Sequence, residues 1–201
     1  MKEFALPSQH KNLRGVVWSD VKNPIGTVQI AHGLAEYHGR YHEIAEFLNN
    51  KGFIVYCNDH LGHGLNISDG STEGYFKKER GYSAVVDQLA EMNLYIRKEN
   101  PSLRHYMLSH SLGTPLTLSL LKRNISFNGV VLSAAFSVNS TLLFLNNLLL
   151  WPEYAFKDKK MVSKEMEKHT TLKHNAFFKP NRTTHDYLSR DKRKVDEYIA
   201  D

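Results

Sequence analysis

The stretch that most limits what this chain can become is Tyr106-Met107-Leu108-Ser109-His110-Ser111-Leu112-Gly113. An apolar β-type run ends in a small residue, a serine follows, then a glycine, and a helix-compatible run comes next over residues 116–121. A strand that turns sharply into a helix in this way holds a serine hydroxyl out at the tip of the turn. An ordinary serine is a poor nucleophile, and a strained turn beside a helix N-terminus is one of few settings that can activate it. The pattern departs from G-x-S-x-G at its first position, where Ser109 stands in place of glycine. That position must be small because strand and helix backbones pack closely around it, and serine adds only a hydroxymethyl group. On this motif alone, a serine-rich turn from strand into loop fits as well as an elbow with Ser111 as nucleophile.

The rest of the N-terminal half bears on that choice. A second β-type run over 26–30 leads into His32-Gly33-Leu34-Ala35-Glu36. Glycine after a buried strand lets the backbone bend so that the next N–H faces the catalytic centre. Acyl transfer needs two such donors for the oxyanion of the tetrahedral intermediate. The backbone N–H groups of Leu34 and Leu112 are the candidates. Taken in isolation, His32-Gly33 is equally an ordinary strand-to-loop turn. A third run, Phe53 to Asn58, ends in Asp59-His60-Leu61-Gly62-His63-Gly64. Its glycines permit a tight loop, and the aspartate and histidines can tie that loop together. His32, Gly33, Asp59 and Gly113 are therefore expected to support the site structurally. No carboxylate or cysteine cluster completes a metal site around His60 and His63, and neither metal nor cofactor is expected.

The coarse organisation is β–α alternation. A short strand near 16–18 precedes a strand over 27–31 and a helix over 41–50. A strand over 53–58 feeds a long helix over 81–98, in which Val85, Leu89, Met92 and Ile96 recur at helical spacing. A strand over 106–108 feeds the helix after Ser111, where Pro115 is acceptable because first-turn residues need no N–H partner. A strand over 129–133 follows. Such alternation predicts an α/β fold with a parallel sheet and right-handed crossovers.

Three motifs together resemble the α/β-hydrolases of the monoacylglycerol lipase or lysophospholipase group. They are His32-Gly33-Leu34-Ala35-Glu36-Tyr37-His38-Gly39-Arg40-Tyr41, then Asp59 to Gly64, then Ser109-His110-Ser111-Leu112-Gly113. A weaker match runs through Leu188-Ser189-Arg190-Asp191, Val195, Tyr198 and Asp201. The resemblance implies hydrolysis of a single acyl ester bond in a monoacylglycerol, lysophospholipid or similar lipid. It also implies a core over 1–135 and a cap over 136–201, the cap incomplete at its C-terminal end.

In that family the triad runs serine, acid, histidine along the chain, with acid and histidine on strands after the cap. The expectation is therefore a core that has its nucleophile but lacks the last strands, the acid and the base. His38, His42, His105, His110, His169, His174 and His185 all lack the context of a catalytic base. Esterase activity close to background is expected of such a chain, and the open edge of the strand over 129–133 is expected to promote self-association.

Residues 141–151 are rich in leucine, and Asn146-Asn147 is expected to break the run. By position this is the cap, and Leu142, Leu145 and Leu149 are the candidates for contact with an acyl chain. The same helix could dock on a bilayer surface or pack on the core domain. The net charge of +5 is concentrated C-terminally, with 12 basic and 8 acidic residues over 157–201. Acids are interspersed and no recognition motif accompanies them, so nucleic acid is not an expected partner. Cys57 is the single cysteine, which excludes an intrachain disulfide and fits a reducing compartment. No apolar run reaches membrane-span length and the N-terminus lacks a signal-peptide core. A cytoplasmic location with contact at a membrane surface is expected. Two function classes remain: a serine ester hydrolase acting on lipid esters, or an inactive relative that at most binds lipid.

Overall fold

The computed structural model describes residues 1–67, 72–136, 140–156, 160, 163, 166 and 173–200. The chain divides into two compact units, Met1–Val138 and Asn139–Asp201. The first is built on a six-stranded sheet of order β1-β2-β4-β3-β5-β6. The strands are β1 (Lys2–Leu6), β2 (Leu13–Trp18), β3 (Gly26–Ala31), β4 (Phe53–Asn58), β5 (Arg104–His110) and β6 (Gly129–Ser133). Strands β4, β3, β5 and β6 run parallel, as the β–α alternation predicts. The sheet as a whole is mixed, because β1 and β2 pair antiparallel and β2 joins β4 antiparallel.

Helices cover both faces. On one side α2 (Gly81–Glu99) and α3 (Gly113–Lys122) bury Val85, Leu89, Leu116 and Leu120 against Ala31 and Met107. On the other, Ala45 of α1 (His42–Asn50) and Tyr41 pack with Trp18, Val28, Ile30, Val55 and Cys57. Burying one such aliphatic side chain contributes about 1.5–3 kcal/mol. Every residue of β3 is buried as a result, and its one amide, Gln29, donates through Nε2 to the Leu89 carbonyl at 3.0 Å. A strand covered on both faces is a rigid base for the loop that leaves its C-terminal end. The loops after β3 and β5 leave side by side, since Ala31 and Ser109 are register partners.

The second unit holds α4 (Ser140–Phe156) and α5 (Lys192–Ala200). Helix α4 runs straight through Asn146-Asn147, against the expected break. Asparagine costs only about 0.7 kcal/mol or less in a helix, too little to stop a run flanked by leucines. Between the helices, Asn175 organises the chain: its Nδ2 donates to the Thr183 carbonyl at 2.7 Å and its Oδ1 accepts the Tyr187 N–H at 3.1 Å. Asp186 accepts the Thr183 N–H at 2.9 Å, and α5 anchors itself through Val195, which is 1% exposed. Most of the polar segment over 157–172, including His169, lies outside the described residues. Among the described residues no helix is long and apolar enough to cross a membrane.

Candidate active site

Ser111 sits at the turn between β5 and α3 with φ of +47°. A non-glycine residue in the left-handed region costs about 1–2 kcal/mol, so the turn must be held from outside. Three bonds hold it: Ser111 N–H donates to the Ser133 carbonyl on β6 at 3.0 Å, and Thr114 gives the Ser111 carbonyl its N–H at 2.9 Å and its hydroxyl at 2.8 Å. Leu112 already has helical geometry, φ −53° and ψ −34°. At Gly113 a Cβ would lie 2.1 Å from the Ala31 carbonyl oxygen, so helix and central strand meet here backbone to backbone. Ser109 is fully buried, and its hydroxyl lies 2.6 Å from that of Thr117 on α3. That partner explains how serine fits where the motif has glycine: the added hydroxyl is satisfied inside the strand–helix contact.

The loop after β3 is closed by its own side chain. Gly33 N–H donates to Glu36 Oε2 at 2.7 Å, and the Tyr41 hydroxyl donates to the same oxygen at 2.7 Å. Ala35, between them, has φ of +55°. With the Gly33 N–H taken, the next one, on Leu34, is left without an acceptor among the described residues, and so is that of Leu112. His110 lies between the two segments. Its Nε2 is 3.7 Å from Glu36 Oε1, and its Nδ1 is 3.2 Å from the Ser133 hydroxyl.

Beneath the loop, His32, His60 and Asp59 are fully buried and His63 nearly so. His32 Nε2 accepts the His60 N–H at 2.9 Å, so Nδ1 carries the proton and donates to the Gly33 carbonyl at 2.7 Å. His60 Nε2 donates to the His32 carbonyl at 3.0 Å, and the two rings lie 3.8 Å apart. Burial holds all of these imidazoles neutral: His32 is pushed well below the usual histidine value, and His60 down to about 3, each with help from a neighbouring ring. Burial also lowers His63.

Asp59 accepts the His38 N–H at 2.7 Å and the Leu65 N–H at 2.8 Å, and its Oδ2 lies 2.8 Å from His38 Nδ1. It joins the turn after the Gly33–Glu36 loop to the loop after β4. Gly64, at φ of +45°, makes room for it, since a Cβ there would come 2.2 Å from Asp59 Oδ2. Asp59→Asn is expected to cost about 2 kcal/mol, because an amide in this pocket turns donors toward donors. Unfolding in denaturant measures it, and an unchanged midpoint would remove Asp59 from the support of the loop.

The structure thus brings Ser111, Leu112 and Gly113 beside Gly33 and Glu36 within the first unit. Within that unit no histidine among the described residues hydrogen-bonds the Ser111 hydroxyl. His105 lies inside β5, buried against Thr27 Oγ1 at 2.8 Å. The side chain of Leu142 lies outside the described residues, whereas those of Leu145 and Leu149 are exposed on α4. Among the described residues no group of three or more His, Cys, Asp or Glu could hold a metal. Sequence reasoning gave no role to Glu36, Tyr41 or Thr117. The signal for Glu36 was its position just after a glycine turn; Tyr41 and Thr117 act across the fold and left no local signal.

The family model described as serine aminopeptidase, S33 matches residues 22–201. Monoglyceride lipase of Rattus norvegicus is 28% identical over 189 residues, which cover 92% of this chain and 54% of that protein. Monoacylglycerol lipase of Mycolicibacterium smegmatis is 34% identical over 97 residues, 48% of this chain and 32% of that one. A thermostable carboxyl esterase from Bacillus coagulans superposes with a TM-score of 0.84 at 20% identity, covering 100% of this chain and 65% of its own. The last likeness is one of fold. The chain spans about half the length, 54%, of the rat lipase.

Proposed function

The chain belongs to the serine aminopeptidase S33 family of α/β-hydrolases, and from that premise we propose that it forms the nucleophile-bearing part of a hydrolase of single-acyl lipid esters. Ser111 attacks the ester carbonyl, and the N–H groups of Leu34 and Leu112 receive the oxyanion. The observation that carries this reading is the left-handed Ser111, held at a strand–helix turn beside two unaccepted N–H groups. A backbone that costs energy to maintain persists where its surroundings over-determine it, and such sites cluster at functional centres. The acid and base are assigned outside Met1–Val138, where no described histidine meets Ser111. The exposed Phe144, Leu145, Leu148, Leu149 and Trp151 of α4 form the surface for the acyl chain and for contact with a lipid interface, the role of a cap. Relatives whose names specify monoacylglycerol or monoglyceride lipase support the lipid class.

A fluorophosphonate probe tests the proposal, because it reacts with a serine that a base has activated. Labelling at Ser111 that falls by at least about 10³-fold in Ser111→Ala would support the proposal and place an activating base within reach of the serine. A folded but unlabelled chain would favour the second reading, a relative that binds lipid without turning it over. That no described histidine of the first unit meets Ser111 is what keeps that reading in play.

A further inference from the structure

We propose that Glu36 is the positioning residue that shapes the oxyanion loop and couples it to the nucleophile turn, an inference that rests on the ester-hydrolase reading of Ser111. Its carboxylate reaches back to the Gly33 N–H at 2.7 Å and closes a ring around Leu34 and Ala35. Inside that ring Ala35 holds φ of +55°, a conformation an alanine leaves unless it is constrained. The ring therefore fixes the plane of the Gly33–Leu34 peptide, and with it the direction of the Leu34 N–H. Charge-assisted bonds of this kind are about twice as strong as neutral ones.

Glu36 is itself anchored. Tyr41 is 8% exposed, packed in the core beneath α1, and its hydroxyl donates to Oε2 at 2.7 Å. The carboxylate is thus registered to the sheet and not to the surface. Its other oxygen, Oε1, faces His110 Nε2 at 3.7 Å, and His110 Nδ1 lies 3.2 Å from the hydroxyl of Ser133. The carbonyl of that same Ser133 takes the Ser111 N–H at 3.0 Å. Glu36, His110 and Ser133 thus stand in a row between the donor loop and Ser111, with a 3.7 Å approach at Glu36–His110 and a backbone bond at its end. Gly33 is tightly flanked by both side chains: a Cβ there would come 2.8 Å from Glu36 Oε2 and 3.3 Å from His110 Cδ2.

Glutamine and alanine separate positioning from bulk structure at this residue. The side-chain amide introduced by Glu36→Gln retains an oxygen that can accept from both Gly33 and Tyr41, whereas Glu36→Ala offers none. Inactivation of the whole chain by a fluorophosphonate is followed over a range of probe concentrations, which splits the maximal rate from the apparent affinity. Misplacing an oxyanion donor costs about 10²–10³-fold. The expected result is a maximal rate at least about 100-fold lower in Glu36→Ala with apparent affinity unchanged, restored to within about 10-fold of the parent in Glu36→Gln, with Tyr41→Phe in between. A parent-like rate in Glu36→Ala overturns the proposal, as does a glutamine variant that falls as far as alanine. Amide exchange at Gly33, read by NMR on the same proteins, is independent of reactivity. Protection is expected in the parent and in Glu36→Gln and is expected to be lost in Glu36→Ala. If the parent is not labelled at all, the ester-hydrolase reading falls, and unchanged Gly33 exchange in Glu36→Ala would then overturn the positioning role as well.

Discussion

Gly113→Val is expected to destabilise the first unit by at least about 3 kcal/mol, the upper end of overpacking costs. The reason is steric and local. A Cβ on Gly113 falls 2.1 Å from the Ala31 carbonyl oxygen and 2.8 Å from its carbon. Both belong to the backbone of β3, a strand buried throughout, so no side chain can swing away to make room. Helix α3 must back off, which pulls on Leu112 and the Ser111 turn. Gly113 is not among the residues with positive φ, so backbone strain contributes nothing and the clash carries the whole effect. Gly74→Ala is the matched control. Gly74 has φ of +73° but nothing within 4 Å of where a Cβ would stand, and alanine there is expected to cost about 1–2 kcal/mol from conformation alone. Thermal or denaturant unfolding of both variants decides the matter. Equal losses would mean that the strand–helix contact is looser than 2.1 Å implies.

The second large effect is acid lability. His60 is held down to about 3 and His105 to about 4, chiefly by burial, and burial also keeps His32 well below its ordinary value. An unfolded chain protonates these rings near pH 6.5, so below that pH the unfolded state binds more protons than the folded one. Stability is therefore complete above about pH 6.5 and is lost as pH falls toward the folded-state values. His60 and His105 each contribute about 2 kcal/mol between pH 7 and pH 5 by this linkage, and the lowered His32 and His63 act in the same direction. Such a loss is a large fraction of the stability of a typical domain. Denaturant titrations at pH 7 and pH 5 measure it directly, and coincident curves would mean that the rings are protonated in the fold. His105→Gln should remove its own share of the loss, about 2 kcal/mol between pH 7 and pH 5, while leaving the loop beneath Gly33 untouched.

What the sequence made legible follows from where the physical signal is local. Strands β4 and β6 were readable to the residue because apolar runs end at glycine or asparagine. The elbow was readable because its strand, small residue, serine and glycine are contiguous. Strand β1 was not, since Lys2–Leu6 is largely exposed and owes its conformation to pairing with β2 rather than to a pattern of its own. The expected break at Asn146-Asn147 overweighed a weak propensity against a strong leucine context. The bonds from Gly33 and Tyr41 to Glu36 show the same limit within the site. A turn can be read from its glycine, but which carboxylate closes it, and which buried hydroxyl steadies that carboxylate, depends on the packing of α1 against the sheet. Likewise nothing in Ser109 announces Thr117 as its partner.

The Ser111 N–H ends on a carbonyl of β6, and β6 is one of the two edge strands of the described sheet. Edge strands open more readily than central ones. Opening of β6 away from β5 would release the Ser111 N–H, so, on the role proposed for Ser111, the fraction of time its geometry holds is bounded by the fraction of time the edge is shut. A polypeptide that adds a strand to β6 in the shut form would shift that balance by mass action. A probe reaction at Ser111 would then report the occupancy of the border strand to which its N–H is tied, and a lone serine would become a gauge of how firmly that edge is held.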